Sequence, residues 1–120
     1  MTERELLEHF TRSRMFSDWH WFRWHFDQRL GGHAQSLADS ILRACIECDG
    51  PIPGFARAMA DEIASVSGRE KFLPHWEQLL QRLCELLVIR QAVASPWPAG
   101  TRFEWEPTTT PGGKNPELAI

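Results

Sequence analysis

Long apolar runs and tyrosine are missing from this sequence, cysteine is limited to three residues, and acidic residues outnumber basic ones by 16 to 13. No apolar run approaches the roughly 18 residues that span a bilayer, and the charged start of the chain does not resemble a secretory signal. The three cysteines are odd in number and fall in helical patterns, which argues against a disulfide framework. These absences exclude a membrane protein and a disulfide-rich secreted domain, and they predict a cytoplasmic protein.

The excess of acidic over basic residues limits the kinds of partner that the chain can attract. The formal net charge is -3, so no global field draws the chain to nucleic acid or to anionic lipid. Nucleic acid remains a possible partner that the charge does not favour. With 42% hydrophobic and 24% charged residues among 120, the composition is that of one soluble globular domain with room for a short appendage.

Tryptophan is what the sequence has in excess, and it is concentrated at positions 19–26, which read WHWFRWHF. At about 100° per residue, Trp19, Phe22 and Phe26 point one way on a helix, while Trp21 and Trp24 point the other way. A helix that is aromatic on both sides is either the centre of a bundle or has one face that is free for a partner.

Apolar residues at helical spacing predict five helices. The first begins at a capping box formed by Thr2 and Glu5, and the aromatic helix is capped by Ser17 or Asp18 and ended by the glycines at 31–32. A third helix covers about 33–49. The fourth covers about 55–67, with Glu62 on its polar face. The fifth runs from about 72 to 93 and carries one broad apolar stripe: Phe72, Trp76, Leu79, Leu80, Leu83, Leu86, Leu87 and Ile89.

The composition changes after residue 95. The sequence SPWPAG at 95–100 reads as a stiff connector, and Phe103 and Trp105 then alternate with charged residues as in a β-strand. Turn-forming residues at 108–115 and the segment 116–120 complete a predicted hairpin. The predicted fold class is therefore mainly α, a compact bundle of about five helices with a short C-terminal β-hairpin.

The predicted domains are a helical bundle at 1–95, a proline-rich connector at 96–100 and, at 101–120, a β-hairpin or the start of a truncated second domain. A lone two-stranded hairpin is marginal in water. We therefore expect it to dock on the bundle, and the aromatic helix is a candidate surface for it.

The sequences FEWEP at 103–107 and GGKNPEL at 112–118 resemble the entry to the restriction-endonuclease-like nuclease superfamily. In that family a glycine-lysine turn leads to a proline-acid step, and the acid binds a divalent metal. The resemblance places Glu117 at this position, with Glu where Asp is usual. The family's acidic-x-lysine motif would fall beyond Ile120. The resemblance thus implies that Glu117 is a metal ligand only if the nuclease-like domain is completed elsewhere, and no residue is predicted to be catalytic.

The spacing Cys45-x-x-Cys48 invites a zinc interpretation. Structural zinc needs four ligands, usually two such pairs, whereas helical cysteines on an apolar stripe are more typical of core packing. We expect Cys84 to be a buried, inert thiol as well. No cofactor is therefore predicted.

The predicted function is a non-catalytic helical accessory or N-terminal module, of a bacterial nuclease or defence-type protein, that acts by binding a partner. The partner is a protein or a second copy of the chain, and not a membrane. Tryptophan and arginine are frequent in binding hot spots, so the predicted binding residues are Trp21, Arg23, Trp24, Phe103 and Trp105. The alternative is a complete small interaction protein, an adaptor or inhibitor with no nuclease connection. In a purely structural interpretation, Trp21 and Trp24 pack beneath the first helix or the hairpin.

Overall fold

The computed structural model describes residues 1–66, 70–106 and 117–119. Within these ranges the chain forms six helices: α1 (Glu3–Arg12), α2 (Met15–Asp18), α3 (His20–Leu30), α4 (Ser36–Asp49), α5 (Phe55–Ala64) and α6 (Leu73–Ala94). The prediction of a mainly α protein built as a helical bundle is confirmed. The additional helix is α2, a single turn between the first predicted helix and the aromatic one.

The first helix begins as the sequence predicts, and the aromatic helix does not. The Thr2 hydroxyl accepts a hydrogen bond from the Glu5 backbone amide at 3.1 Å and caps α1. Ser17 and Asp18 instead end α2, and α3 begins after Trp19 without a side-chain cap. The Trp19 ring is fully buried, and its indole N–H donates to the carbonyl of Val66 at 3.1 Å. This tertiary contact holds Trp19 at the break between the two helices, which local capping rules did not foresee.

Four phenylalanines form the centre of the core. Phe10 of α1, Phe16 of α2, and Phe22 and Phe26 of α3 are completely buried, with ring centroids 4.9–5.7 Å apart. Edge-to-face and offset contacts at such distances add to the free energy that burial itself supplies. The inner side of the aromatic helix is therefore the centre of the bundle, as its periodicity predicts.

The longest helix, α6, does not bury its whole apolar stripe. Leu79, Leu86 and Ile89 are buried, whereas Leu80 and Leu87 are exposed. The prediction of one broad core-facing stripe is wrong in this respect, because α4 and α5 cover only one side of α6. The stripe is divided into a core side and a solvent side.

The C-terminal segment contributes two short strands, β1 (Glu104–Glu106) and β2 (Glu117–Ala119), which pair antiparallel with Trp105 opposite Leu118. The predicted turn lies outside the described residues, so the complete hairpin stays a prediction. Trp105 packs on Phe55 of α5 at a centroid distance of 4.8 Å, and its indole N–H donates to Glu85 Oε1 of α6 at 2.9 Å. These contacts place Trp105 against α5 and α6 and not against the aromatic helix, which was the candidate docking surface.

Candidate functional site

The outer side of α3 carries two exposed tryptophans. Trp21 is 42% exposed and Trp24 is 51% exposed, although Phe22 between them is fully buried. The imidazole of His25 lies between the two indoles, with its ring centroid 5.1 Å from each. His25 contacts both tryptophans, so the three rings form one aromatic surface on α3.

This aromatic surface continues onto α6 through Trp76. The Trp76 ring lies 5.2 Å from that of Trp21 and 5.0 Å, edge-on, from that of the buried Trp19. Trp76 therefore connects the exposed Trp21 of α3 to the buried Trp19.

Large apolar residues lie on the solvent side of α6, among the exposed polar residues Glu77, Gln81 and Gln91. Leu73, Leu80 and Leu87 follow one another at intervals of seven residues, which puts them on one side of the helix, and Val88 adjoins them. Their exposed fractions are 50–67%. We call the whole surface the α3–α6 face and define it by these residues: Trp21, Trp24, Phe72, Leu73, Trp76, Leu80, Cys84, Leu87 and Val88.

Charge is nearly absent from this side of α6. The structure describes every residue of α6, and Glu77 is the only charged one in the exposed class. Arg90 is turned toward α4, where its guanidinium Nε lies 2.6 Å from the Glu47 carboxylate. Cys84 also lies in the exposed class, so the prediction that it is buried is wrong. Its position on the solvent side of the divided stripe accounts for the difference.

A groove of about 420 Å³ adjoins the C-terminal end of the α3–α6 face, between α4 and α6. Its walls are formed by Glu47, Leu87, Arg90, Gln91 and Ala94. Leu87 thus belongs both to the face and to the groove. The ion pair between Arg90 and Glu47 neutralises charge beside the groove.

The five predicted binding residues are not brought together. Arg23 is exposed on α3, and its Nε donates to Asp27 at 3.0 Å. Phe103 and Trp105 are half-buried and pack on the core of their own chain. Trp21 and Trp24 therefore share one surface, whereas Arg23 lies about 160° around the helix from Trp21 and Phe103 and Trp105 serve to attach the C-terminal segment.

A buried ion pair lies beneath that segment. The Glu62 side chain of α5 is almost completely buried, and its carboxylate lies 3.4 Å from Arg82 Nε of α6. The Arg82 guanidinium also lies 3.8 Å from Glu85, which accepts the hydrogen bond from Trp105. Burial raises the pKa of Glu62, the Arg82 charge opposes that rise, and the Glu85 charge adds to it.

Sequence reasoning placed Glu62 on the polar face of its helix, and this was wrong. A signal was present in the sequence, because Glu62 lies three residues after Met59 and directly before Ile63. Both neighbours are buried, so Glu62 lies at the border of the apolar stripe, where α6 covers it. Helix α5 also approaches α1, because His9 Nε2 of α1 lies 2.8 Å from Asp61 Oδ1 of α5.

The cysteine pair at 45 and 48, for which the sequence favours core packing over zinc, lies in the core. Cys45 and Cys48 are both buried in the core, and burial raises the pKa of both thiols, that of Cys48 to about 11. A neutral thiol is a poor zinc ligand because the thiolate is the binding form. Within residues 1–66, 70–106 and 117–119, no three His, Cys, Asp or Glu side chains lie close enough to hold a metal ion. The side chain of Glu117 and the preceding turn lie outside the described part.

Comparison of this chain with protein-family models, with curated proteins and with solved structures gives no match. In the described part of the chain, no helix is both long and apolar enough to cross a membrane. The argument for function therefore rests on the geometry and chemistry of the α3–α6 face.

Proposed function

We propose that this chain is a non-catalytic binding module that engages a protein through the α3–α6 face. The observation that carries the proposal is the exposure of Trp21, Trp24, Leu80 and Leu87 on one continuous surface. A monomeric soluble protein rarely exposes a contiguous apolar patch of several hundred Å², and larger patches mark interaction sites. Placing these side chains in water has a free-energy cost that a partner would remove.

The composition of the face supports a protein as the partner. The centres of protein interfaces are depleted of charged residues and enriched in aromatic residues, methionine and arginine. The exposed side of α6 matches this pattern, with Glu77 as its one exposed charge. Nucleic acid binding relies on several cations that face the phosphates. Arg23, the arginine between the two tryptophans in the sequence, is already paired with Asp27.

The resemblance at 103–118 adds a proposed context, in which the module belongs to a bacterial nuclease or defence-type protein that acts in the cytoplasm. This context rests on the sequence of that segment alone. The alternative is a complete adaptor or inhibitor. Both contexts use the same face, so the binding role does not depend on the choice between them.

Site-specific photocrosslinking in the cells that naturally produce the chain tests the proposal. A photoreactive phenylalanine analogue replaces Trp24 on the face or, as the control, Arg57, which is exposed on α5. We expect a protein adduct of discrete mass at position 24 and not at position 57. The adduct should disappear when Leu80→Glu is added, because a charge at that position must be desolvated on binding. Absence of an adduct at position 24, or equal adducts at both positions, would contradict the proposal.

A further inference from the structure

We propose that the protein bound at the α6 part of this face is a second copy of the chain, with the two α6 helices antiparallel and the twofold axis close to Cys84. This inference rests on the proposed function and names its partner. It follows from the area of the face, from its charge and from the position of the groove.

The exposed apolar area of the face is close to the area that one partner buries in a stable interface. Seven large side chains of the face expose between 42% and 67% of their surface: Trp21, Trp24, Phe72, Leu73, Leu80, Leu87 and Val88. Since the aromatic members alone carry roughly 150–250 Å² each, the seven together expose on the order of 700 Å². A stable interface buries about 800 Å² on each partner. One face therefore supplies most of one partner's share.

The charge distribution fits self-association. In a twofold interface the same surface meets itself, so every charge near the axis is brought close to its own copy. The exposed side of α6 carries Glu77 as its one charged residue in the exposed class, and its other exposed polar side chains are glutamines, which cause no such repulsion. A surface of this kind can pair with itself, whereas a strongly charged partner would gain little from it.

The groove sets the direction of the two helices. Trp76, which holds Trp21, lies eight residues before Cys84, and the groove-lining residues 87–94 lie three to ten residues after it. At 1.5 Å per residue these displacements along α6 are about 12 Å in one direction and about 5–15 Å in the other. A twofold axis at Cys84 therefore brings the aromatic end of each copy over the groove of the other.

A parallel pair of α6 helices would have neither the separation of like charges nor the contact between the aromatic end of one copy and the groove of the other. It would bring the two Glu77 carboxylates together, and like charges on neighbouring helices are destabilising. It would also leave both grooves away from the tryptophans. In the antiparallel pair the two Glu77 residues lie about 21 Å apart along the helix axis, since each is seven residues from Cys84.

The oligomeric state of the purified chain is the first test. By sedimentation equilibrium we expect twice the 13.8 kDa chain mass, with Leu80→Glu and Leu87→Glu shifting the species to a single chain mass. Gln78→Glu is the matched control, because it adds the same charge to an exposed position about 160° around the helix axis from Leu80 and should leave the dimer intact. Helical circular dichroism establishes that each variant is folded.

Oxidative cross-linking tests the direction. The native Cys84 thiols lie close to the axis and should form an intermolecular disulfide with copper phenanthroline, while Cys45 and Cys48 are buried. When Cys84→Ser is combined with Glu77→Cys, cross-linking should be lost, because a disulfide requires Cα atoms less than about 7 Å apart. Efficient cross-linking through position 77 would overturn the antiparallel arrangement.

The outcomes separate this inference from the proposed function. A chain that stays monomeric while position 24 gives an adduct with another protein overturns the second copy and leaves the proposed function standing. A dimer that persists in Leu80→Glu overturns the inference, because it must use another surface. A monomer with no adduct at position 24 overturns both.

Discussion

At the scale of single residues, the burial of Glu62 beside Arg82 is the least expected feature. A buried ion pair stabilises a protein weakly, because the desolvation of both ions offsets most of their attraction. Desolvation is the dominant influence on Glu62, and it raises the pKa of its carboxyl. The pair and Glu85 lie where α5, α6 and Trp105 meet, so the electrostatics of this point affect the attachment of the C-terminal segment.

The raised pKa has a defined sign in the pH dependence of stability. The unfolded chain releases the Glu62 proton near the ordinary value of 4.5, while the folded chain holds it to a higher pH. Stability from this group is therefore fully present below that value and falls as the pH rises through the folded pKa. We expect Glu62→Gln to remove this fall, so that the variant gains in melting temperature relative to the parent as the pH rises above the ordinary value of 4.5.

Thermal unfolding followed by circular dichroism at a series of pH values measures this difference. Asp18→Asn is the control, because it neutralises an exposed carboxylate at the end of α2 in the same way. If Glu62→Gln loses more stability at the upper end of the range than at the lower end, attraction to Arg82 outweighs desolvation and the assigned cause is wrong.

At the scale of secondary-structure elements, one side of α3 packs in the core and its other side is exposed to solvent. Phe22 is fully buried among Phe16 and Phe26, and Trp24, two residues later, is half-exposed. We expect Phe22→Ala to lower the free energy of unfolding by about 3–5 kcal/mol, as for other buried aromatic residues. Trp24→Ala removes a side chain that the fold does not enclose, so it should cost no more than about 1 kcal/mol.

Urea unfolding of both variants measures the two costs. Trp24→Ala should retain the helical circular dichroism of the parent chain. A cost of several kcal/mol for Trp24→Ala would assign Trp24 to the core and would remove its proposed role in binding.

The attachment of the C-terminal segment is also decided at this scale. Trp105 packs on Phe55 and donates to Glu85, and it is half-buried. We expect Trp105→Ala to reduce the free energy of unfolding by about 2 kcal/mol, below the range for a fully buried tryptophan. Trp105→Phe keeps the ring and loses the hydrogen bond, so it should cost about 1 kcal/mol.

Chemical denaturation of these two variants tests the attachment. Both variants keep the same five other tryptophans, so their emission spectra should coincide, because Trp105 contacts α5 and α6 and not Trp21 or Trp24. A shift to longer wavelength in Trp105→Ala relative to Trp105→Phe would show that the segment covers the aromatic helix after all.

At the scale of the whole molecule, folding and association are linked. A partner that binds only the folded chain raises its apparent stability by mass action, and for a dimer that partner is the chain itself. We expect the melting temperature of the parent chain to rise with protein concentration, and that of Leu80→Glu to be independent of it. Scanning calorimetry over about a hundredfold range of concentration measures both. The same concentration dependence of the melting temperature in the parent chain and in Leu80→Glu would contradict a dimer through the α3–α6 face.

Much of this architecture could be predicted from the sequence. Periodicity located the five long helices, the capping box at Thr2 marked the start of α1, and the two sides of the aromatic helix were assigned with Phe22 and Phe26 inside. These features depend on residues within one or two helical turns of each other, so the local chain contains the information.

The tertiary structure alone decided which apolar surfaces are covered. Leu79 and Leu80 are adjacent and chemically identical, yet the first is buried and the second is half-exposed, because α4 and α5 occupy only one side of α6. Glu62 and Cys84 were misplaced for the same reason, since the packing of the helices covers Glu62 and leaves Cys84 open. The sequence determined where the helices are and how apolar each one is. Which side of each remains open to a partner was determined by how the helices pack, because burial is a property of the assembled bundle and not of a single helix.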